Sequence, residues 1–339
     1  MFLMSTQHKG HGSAVTPSST ARDGRRAWRL LRRDYTGVLG GLVVVAIALS
    51  FLSPYFLSAG NLLNIGSDIS YIGVVAAITT IVLISGGLDL SVGAVMALSG
   101  VVTAKALSAG VPWPAAILIG LVSGGVIGLV NGVVISYVGV NPFVVTIATQ
   151  FLARGTAYLV TKGQTVPVTD PTVVFIGQGR VAGIPFSLML LAVAFCVVGW
   201  LLRRSAMGRH WFAIGGTPGG QMARLAGIPV DRRRLQTYVL SALFSAAAGV
   251  VVAGYTTSGD ASALLGIELT VIGGVILGGT SLLGGRGTVI GTLVGTVLLG
   301  VINNGILLLN LGTSAQYLVQ GAILLLAVIF DEVRNRRGT

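Results

Sequence analysis

Apolar runs of about 20 residues, the length that crosses a hydrocarbon core, recur along this chain from Thr36 to Phe330. No soluble core could cover that much apolar surface, so the bilayer must serve as solvent for most of the chain. Charge agrees: only 9% of the 339 residues are charged, against about 25% in an average soluble protein. The runs are continuous, whereas a β-barrel would show short segments of alternating hydrophobicity. The fold class is therefore an all-α integral membrane protein. Its fifty glycines fit that class, because small residues let transmembrane helices approach closely where lipid supplies no hydrophobic push between them. The single cysteine, Cys196, lies inside an apolar run, where an apolar packing role is expected.

Ten spans are expected, at 36–56, 69–86, 91–109, 114–138, 142–161, 186–202, 237–256, 268–283, 287–310 and 314–331. Glycine-rich turns interrupt the third and eighth. The net charge of +12 collects at three places between or outside the runs, which marks cytoplasmic segments and argues against a nucleic-acid partner. They are the tail 1–35, the loop 203–236 and the tail 332–339. Even numbers of crossings must separate them, and six plus four satisfies this, leaving 36–331 as the polytopic domain with both termini cytoplasmic. The stretch RRAWRLLRRDY before the first span reads either as a short helix on the inner leaflet or as a basic tail that fixes orientation. Two glycine ladders, at Gly120, Gly124, Gly128 and Gly132 and at Gly287, Gly291 and Gly295, occupy the third spans of two four-span groups that start on opposite sides. That is the arrangement of two inverted-repeat-like halves. Close packing alone also explains each ladder.

Polar groups at membrane depth are costly, and so mark candidate sites. On span five, Thr146, Thr149, Gln150 and Arg154 form one small-and-polar face opposite Phe143, Val144, Ile147 and Phe151. That face could line a path for a hydroxylated solute, or it could hydrogen-bond neighbouring helices, with Arg154 snorkelling to the outer interface. Asp89, after two glycines, reads as a cap for the helix that follows or as a path residue, and Asn141-Pro142 as a cap with a first-turn proline. Asn303 and Asn304 cannot both face lipid. The path candidates are thus Asp89, Thr146, Thr149, Gln150, Asn303 and Asn304.

The cytoplasmic loop contains GTPGGQMARLAGIP, residues 216–229. Thr217 suits a cap, Pro218 a first turn and Gly227 a left-handed terminus, which predicts a helix of two or three turns carrying Gln221, Met222, Arg224 and Leu225. Such a helix reads as a plug for another protein's groove, or as a helix lying on the membrane. The three lysines, Lys9, Lys105 and Lys162, complete no phosphate-binding loop, and no metal or hydrolase motif occurs, so neither a cofactor nor enzyme chemistry is expected.

Four stretches together resemble the ribose/xylose/galactose-type permeases of bacterial ABC importers: ISGGLDLSVGAVMALSG (84–100), NPFVVTIATQFLARGTAYLVTKG (141–163), GRHWFAIGGTPGGQMARLAGIPV (208–230) and the glycine-rich run 266–309. The resemblance spans residues 60 to 331 in order. It implies a type II ABC importer permease architecture in the bacterial inner membrane, forming a homodimer embedded in lipid. It further implies a periplasmic sugar-binding protein, a separate cytoplasmic ATPase subunit, and a coupling role for Thr217, Gln221, Met222, Arg224, Leu225 and Gly227. The run Thr217 to Met222 departs from the family's usual shorter segment, an Asn followed by acidic and alanine residues, which implies a matched ATPase. Related permeases for branched-chain amino acids or nucleosides, and a stand-alone secondary transporter, are the alternatives.

Overall fold

The structure is a computed structural model and describes residues 36–336. The basic tail 1–35, with its RRAWRLLRRDY segment, and residues 337–339 lie outside the described residues. Helices dominate: α1 (Thr36–Leu52), α2 (Ala59–Ile84), α3 (Val92–Ser108), α4 (Trp113–Val133), α5 (Pro142–Thr161), α6 (Pro171–Gln178), α7 (Phe186–Arg204), α8 (Ala206–Gly215), α9 (Gln221–Leu225), α10 (Val230–Tyr255), α11 (Ile267–Leu277), α12 (Val289–Leu308) and α13 (Gly312–Arg336). Six of them, α2, α4, α5, α7, α10 and α12, are long and apolar enough to cross a membrane. α1, α3, α11 and the 314–329 part of α13 are apolar but shorter.

Helices α2 and α10 form the centre. Their most apolar windows are 78% and 72% buried, against 28% for α4 and α7 at the perimeter. α10 packs on α2, α3, α4 and α6; α2 also meets α7, α11 and α12; α1 and α13 lie outside α12 and α11. Their outward faces are apolar, with Val44, Phe51, Leu318 and Leu325 among the exposed residues. Cys196 is exposed too. It faces outward from α7 instead of filling the interior, because the inward positions of that helix are Leu191, Ala194, Phe195 and Val198.

Hydropathy misplaces several ends. α2 starts ten residues before the expected 69, because Asn61 and Asp68 find partners on α12 and α10 and so do not break the helix. α10 starts at Val230, so Arg232, Arg233 and Arg234 ride on its first turns and not on a loop. α13 runs through the expected 331/332 boundary to Arg336. The segment 162–185, expected as a loop, holds α6, capped by Asp170 Oδ1 on the amides of Thr172 and Val173, 2.9 and 3.1 Å away. Two short antiparallel pairings hold this end: Val166–Pro167 with Ser258–Gly259, and Arg180–Val181 with Ile184–Pro185.

The first glycine ladder seats α4. A Cβ at Gly124 would lie 2.6 Å from that of Ala246, and one at Gly128 would lie 2.5 Å from that of Ala242 and 2.8 Å from the Tyr238 carbonyl oxygen. The second seats α12 on α11: Cβ atoms at Gly291 and Gly295 would overlap the carbonyl oxygens of Gly278 and Gly274. At the opposite end from the α6 segment, three chain segments meet backbone to backbone. Gly285 donates its amide to the Ile84 carbonyl at 2.8 Å. A Cβ at Gly215 would overlap that same oxygen, and one at Gly284 would lie 3.0 Å from Gly86 Cα. Gly86, Gly284 and Gly285 have φ of +75°, +86° and +71°, a region in which side-chain-bearing residues are strained.

Candidate functional site

The polar groups at membrane depth fall into three sets, and the polar face of α5 touches two of them. α5 begins as the sequence reads, with Asn141 Oδ1 accepting the Phe143 amide at 2.9 Å. Thr146 is fully buried and donates to the Pro142 carbonyl of its own helix at 2.8 Å. Thr149 Oγ1 donates to Asn131 Oδ1 on α4 at 2.7 Å, and Asn131 Nδ2 donates to Ser91 Oγ at 3.0 Å. Ser91 donates both its amide and its hydroxyl to Asp89 Oδ1, at 2.9 and 2.6 Å, while Ser241 Oγ on α10 donates to Asp89 Oδ2 at 2.7 Å. Asp89 therefore fixes Ser91, the residue that precedes α3, and ties it to α10; it does not itself cap the helix, whose N-cap position is Ser91. Both carboxylate oxygens already hold protein donors. A fully connected buried network of this kind rigidifies the helices it joins.

The second set joins α5 to the start of α11. Gln150 Nε2 donates to Glu268 Oε1 at 2.8 Å. Glu268 Oε2 is buried with no partner, in space kept open by Gly93, where a Cβ would lie 2.6 Å from it. Arg154 does not snorkel outward. It is buried, and its Nη1 donates to the carbonyls of Ala261 and Ala263 at 2.7 and 2.6 Å while Nη2 has no partner. The two carbonyls turned inward hold the guanidinium, and a lipid-facing route would leave them unpaired.

The third set surrounds a cavity of about 350 Å³ between α2, α11, α12 and α13. Asn303 lines it. Its neighbour Asn304 touches it too but is committed to Asn61 on α2 through a reciprocal amide pair, at 3.0 and 2.8 Å. Asp68, Tyr71, Thr270, Gln316, Tyr317 and Gln320 complete the polar wall. Sequence reasoning passed over Asp68 by starting the span at 69, and over Glu268 although the eighth span was started on it. In both cases the signal was present, as an ionisable residue inside an apolar run.

The loop between α7 and α10 carries α8 and α9. The expected helix of two or three turns is cut short, because Gly219 and Gly220 adopt φ of +65° and +69° and leave a 3-10 turn followed by five helical residues. Thr217 precedes that turn without a side-chain capping bond, and Gly227 has φ +78° after the last helical turn. Ala223 packs inward on Ile214 and Val230, leaving Met222 62% and Leu225 84% exposed. Gln221 is also exposed. An open groove of about 420 Å³, lined by Tyr137, Arg224, Gly227 and Asp231, runs beside them. Arg224 and Asp231 form a bidentate ion pair across its edge, with Nη1 to Oδ2 at 2.8 Å. The paired guanidinium holds the Asp231 carboxyl below the ordinary carboxylate range. Next to it, Arg233 Nε donates to His210 Nδ1 at 3.1 Å. Burial, then the charges of Arg233 and Arg209, push the imidazole down. The arrangement offers an apolar tip framed by charge, and among the described residues no group of three or more His, Cys, Asp or Glu side chains could hold a metal ion.

Comparison with known proteins matches residues 61–328 to the family described as branched-chain amino acid transport system / permease component. An L-arabinose ABC transporter permease protein of Azospirillum brasilense is 37% identical over 96% of this chain and 94% of its own length. The L-arabinose transport system permease protein of Escherichia coli is 38% identical over 89% of this chain and 92% of its own. The ribose import permease protein of Bacillus subtilis is 36% identical over 87% and 92%. No solved structure matched.

Proposed function

The chain belongs to the branched-chain amino acid transport system permease family, and on that premise we propose that it is the membrane-spanning permease subunit of an ATP-binding-cassette importer for a simple sugar of the arabinose/ribose class. The observation that carries the reading is correspondence along nearly the whole of both chains, not along one domain, with permeases named for those sugars. It is a transport component and not an enzyme. The family description names branched-chain amino acids, the alternative cargo, but the named relatives favour sugar.

In this reading the ten apolar helices make ten crossings in two inverted-repeat-like halves, with both termini and the 203–236 segment in the cytoplasm. Support comes from the arginine clusters and from two glycine ladders that each seat a helix closely on its neighbours. Two copies would form the channel in the bacterial inner membrane. A cytoplasmic ATPase would dock on the segment from Thr217 to Gly227, with Met222 and Leu225 entering its groove and Gln221 and Arg224 at the rim. A periplasmic sugar-binding protein would deliver cargo at the α6 end. Gln150 and Asn303 are assigned to the path, while Asp89, Thr146, Thr149 and Asn304 hold its walls.

Reconstitution in proteoliposomes with the ATPase and binding protein tests the function. ATP-dependent accumulation of labelled L-arabinose or D-ribose is expected. Accumulation of leucine but neither sugar would overturn the cargo, and uptake without the ATPase would overturn the subunit role. Leu225→Asp should strip the ATPase from the purified complex while leaving membrane insertion intact.

A further inference from the structure

We propose that the cavity between α2, α11, α12 and α13 is a transit site for a single sugar ring, held by Asp68, Asn303, Gln316 and Gln320 with Tyr71 along its wall; this rests on the sugar-importer reading above. The volume, about 350 Å³, falls in the range of small-molecule pockets, roughly 300–1,000 Å³.

Its chemistry selects the ligand. Asp68 gives one carboxylate oxygen to the Tyr255 hydroxyl at 2.9 Å. The other has no protein partner among the described residues. Asn303 accepts from Gln320 at 3.4 Å, which leaves the Asn303 amide hydrogens and the Gln320 carbonyl oxygen available, while Gln316 adds a donor and an acceptor. The wall therefore offers both acceptors and donors, as a ring bearing several hydroxyls requires, since each hydroxyl both gives and accepts. Tyr71, half-buried and 6.3 Å from the Tyr255 ring between centroids, and Ile72 supply apolar surface for the C–H face of such a ring. An amino acid would need a partner for its ammonium and another for its carboxylate. Asp68 meets the first demand, but no cationic side chain lines the cavity to meet the second.

Cost argues for use. Four uncommitted or half-committed polar side chains on helices at membrane depth are expensive where no solute or water pairs them, and side chains that served only helix association would bond one another, as Asn61 and Asn304 do. The hydrogen bonds that do cross the cavity are few, so a ring bound there exchanges water for protein partners without being held tightly.

The test uses the full complex of permease, ATPase and binding protein in proteoliposomes, first identifying which of labelled L-arabinose and D-ribose the wild type accumulates. Failure to carry either sinks the cargo reading, independently of the cavity. With a transported sugar in hand, Asp68→Asn and the double variant Gln316→Leu, Gln320→Leu should each lower uptake per folded complex by about tenfold, as expected for lost partners on a polar ligand, with ATPase association unchanged. Uptake within about twofold of wild type in both overturns the proposal. Should those variants fold poorly, Gln316→Cys in a Cys196→Ala background supplies a second measure. The transported sugar should slow its alkylation by a maleimide added from the side of the binding protein, and a non-transported sugar should not. An introduced thiol that the reagent never reaches, or that the sugar fails to protect, overturns it as well.

Discussion

At the scale of single residues, the informative pairs are those that cross the chain. Gln150 was legible as a polar residue on a helix face, but its partner, Glu268, stands 118 positions away, and a one-dimensional pattern reports polarity without reporting who answers it. Asp89 was legible as a polar residue ahead of a helix, yet its tie to Ser241 was not, for the same reason. The Gln150–Glu268 bond has a testable signature. Gln150→Leu leaves Glu268 Oε1 without its donor beside an Oε2 that already lacks one, and should lower stability by about 1–3 kcal/mol. Adding Glu268→Leu removes the orphaned carboxylate, so a double-mutant cycle by thermal unfolding in detergent should find the pair less destabilised than the sum of the singles. Strict additivity would mean the bond carries no weight. On the segment between α7 and α10 and the first turn of α10, His210 is pushed down and Asp231 is pushed down. A group with a depressed pKa in the folded state stabilises above its unfolded value and loses that contribution as pH falls. The imidazole contribution should therefore drain on acidification from about pH 6.5 downward, and that of the carboxylate only at far lower pH. Hydrogen-exchange protection factors across 206–230, which correct for the slower base-catalysed chemistry at lower pH, should fall between pH 7 and pH 5 in the wild type and change less in His210→Gln.

At the scale of elements, the existence of the apolar helices was legible and their ends were not. Hydropathy averages over a window, so it drops polar turns such as Asn61–Asp68 and Asp231–Arg234 that are helical because their side chains are answered or reach solvent. The short helix on the loop was over-read for a different reason: two adjacent glycines permit a helix and a left-handed break equally, and here both take φ near +65° to +69°. The glycine ladder on α4 gives a sharp contrast between neighbours. Gly128→Ala pushes a methyl against Ala242 and the Tyr238 carbonyl and should cost about 1–3 kcal/mol, as overpacking does. Gly125→Ala meets only a Leu243 methyl at 3.4 Å and should be neutral or stabilising by up to about 1 kcal/mol, the helix preference of alanine over glycine. Thermal midpoints of the two variants in one detergent decide it, and equal effects would refute the packing of α4 on α10.

At the scale of the whole molecule, the topology proposed from the arginine clusters is one that labelling can check. In a Cys196→Ala background, Met222→Cys should react with an impermeant thiol reagent only after the membrane is opened to the cytoplasmic side. Reaction from outside in intact cells would reverse the orientation. The meeting of Ile84, Gly215 and Gly285 was invisible to sequence reasoning, since nothing in a glycine's neighbours says that two distant carbonyls and amides will lie against it. Its consequence is mechanical. Side chains at a joint act as springs, changing rotamer to absorb small displacements, whereas a contact of bare backbone has almost no compliance. A push delivered to α8 meets no such cushion before it reaches the end of α2 and the turn into α12, so these three segments are geared together at that point with little play.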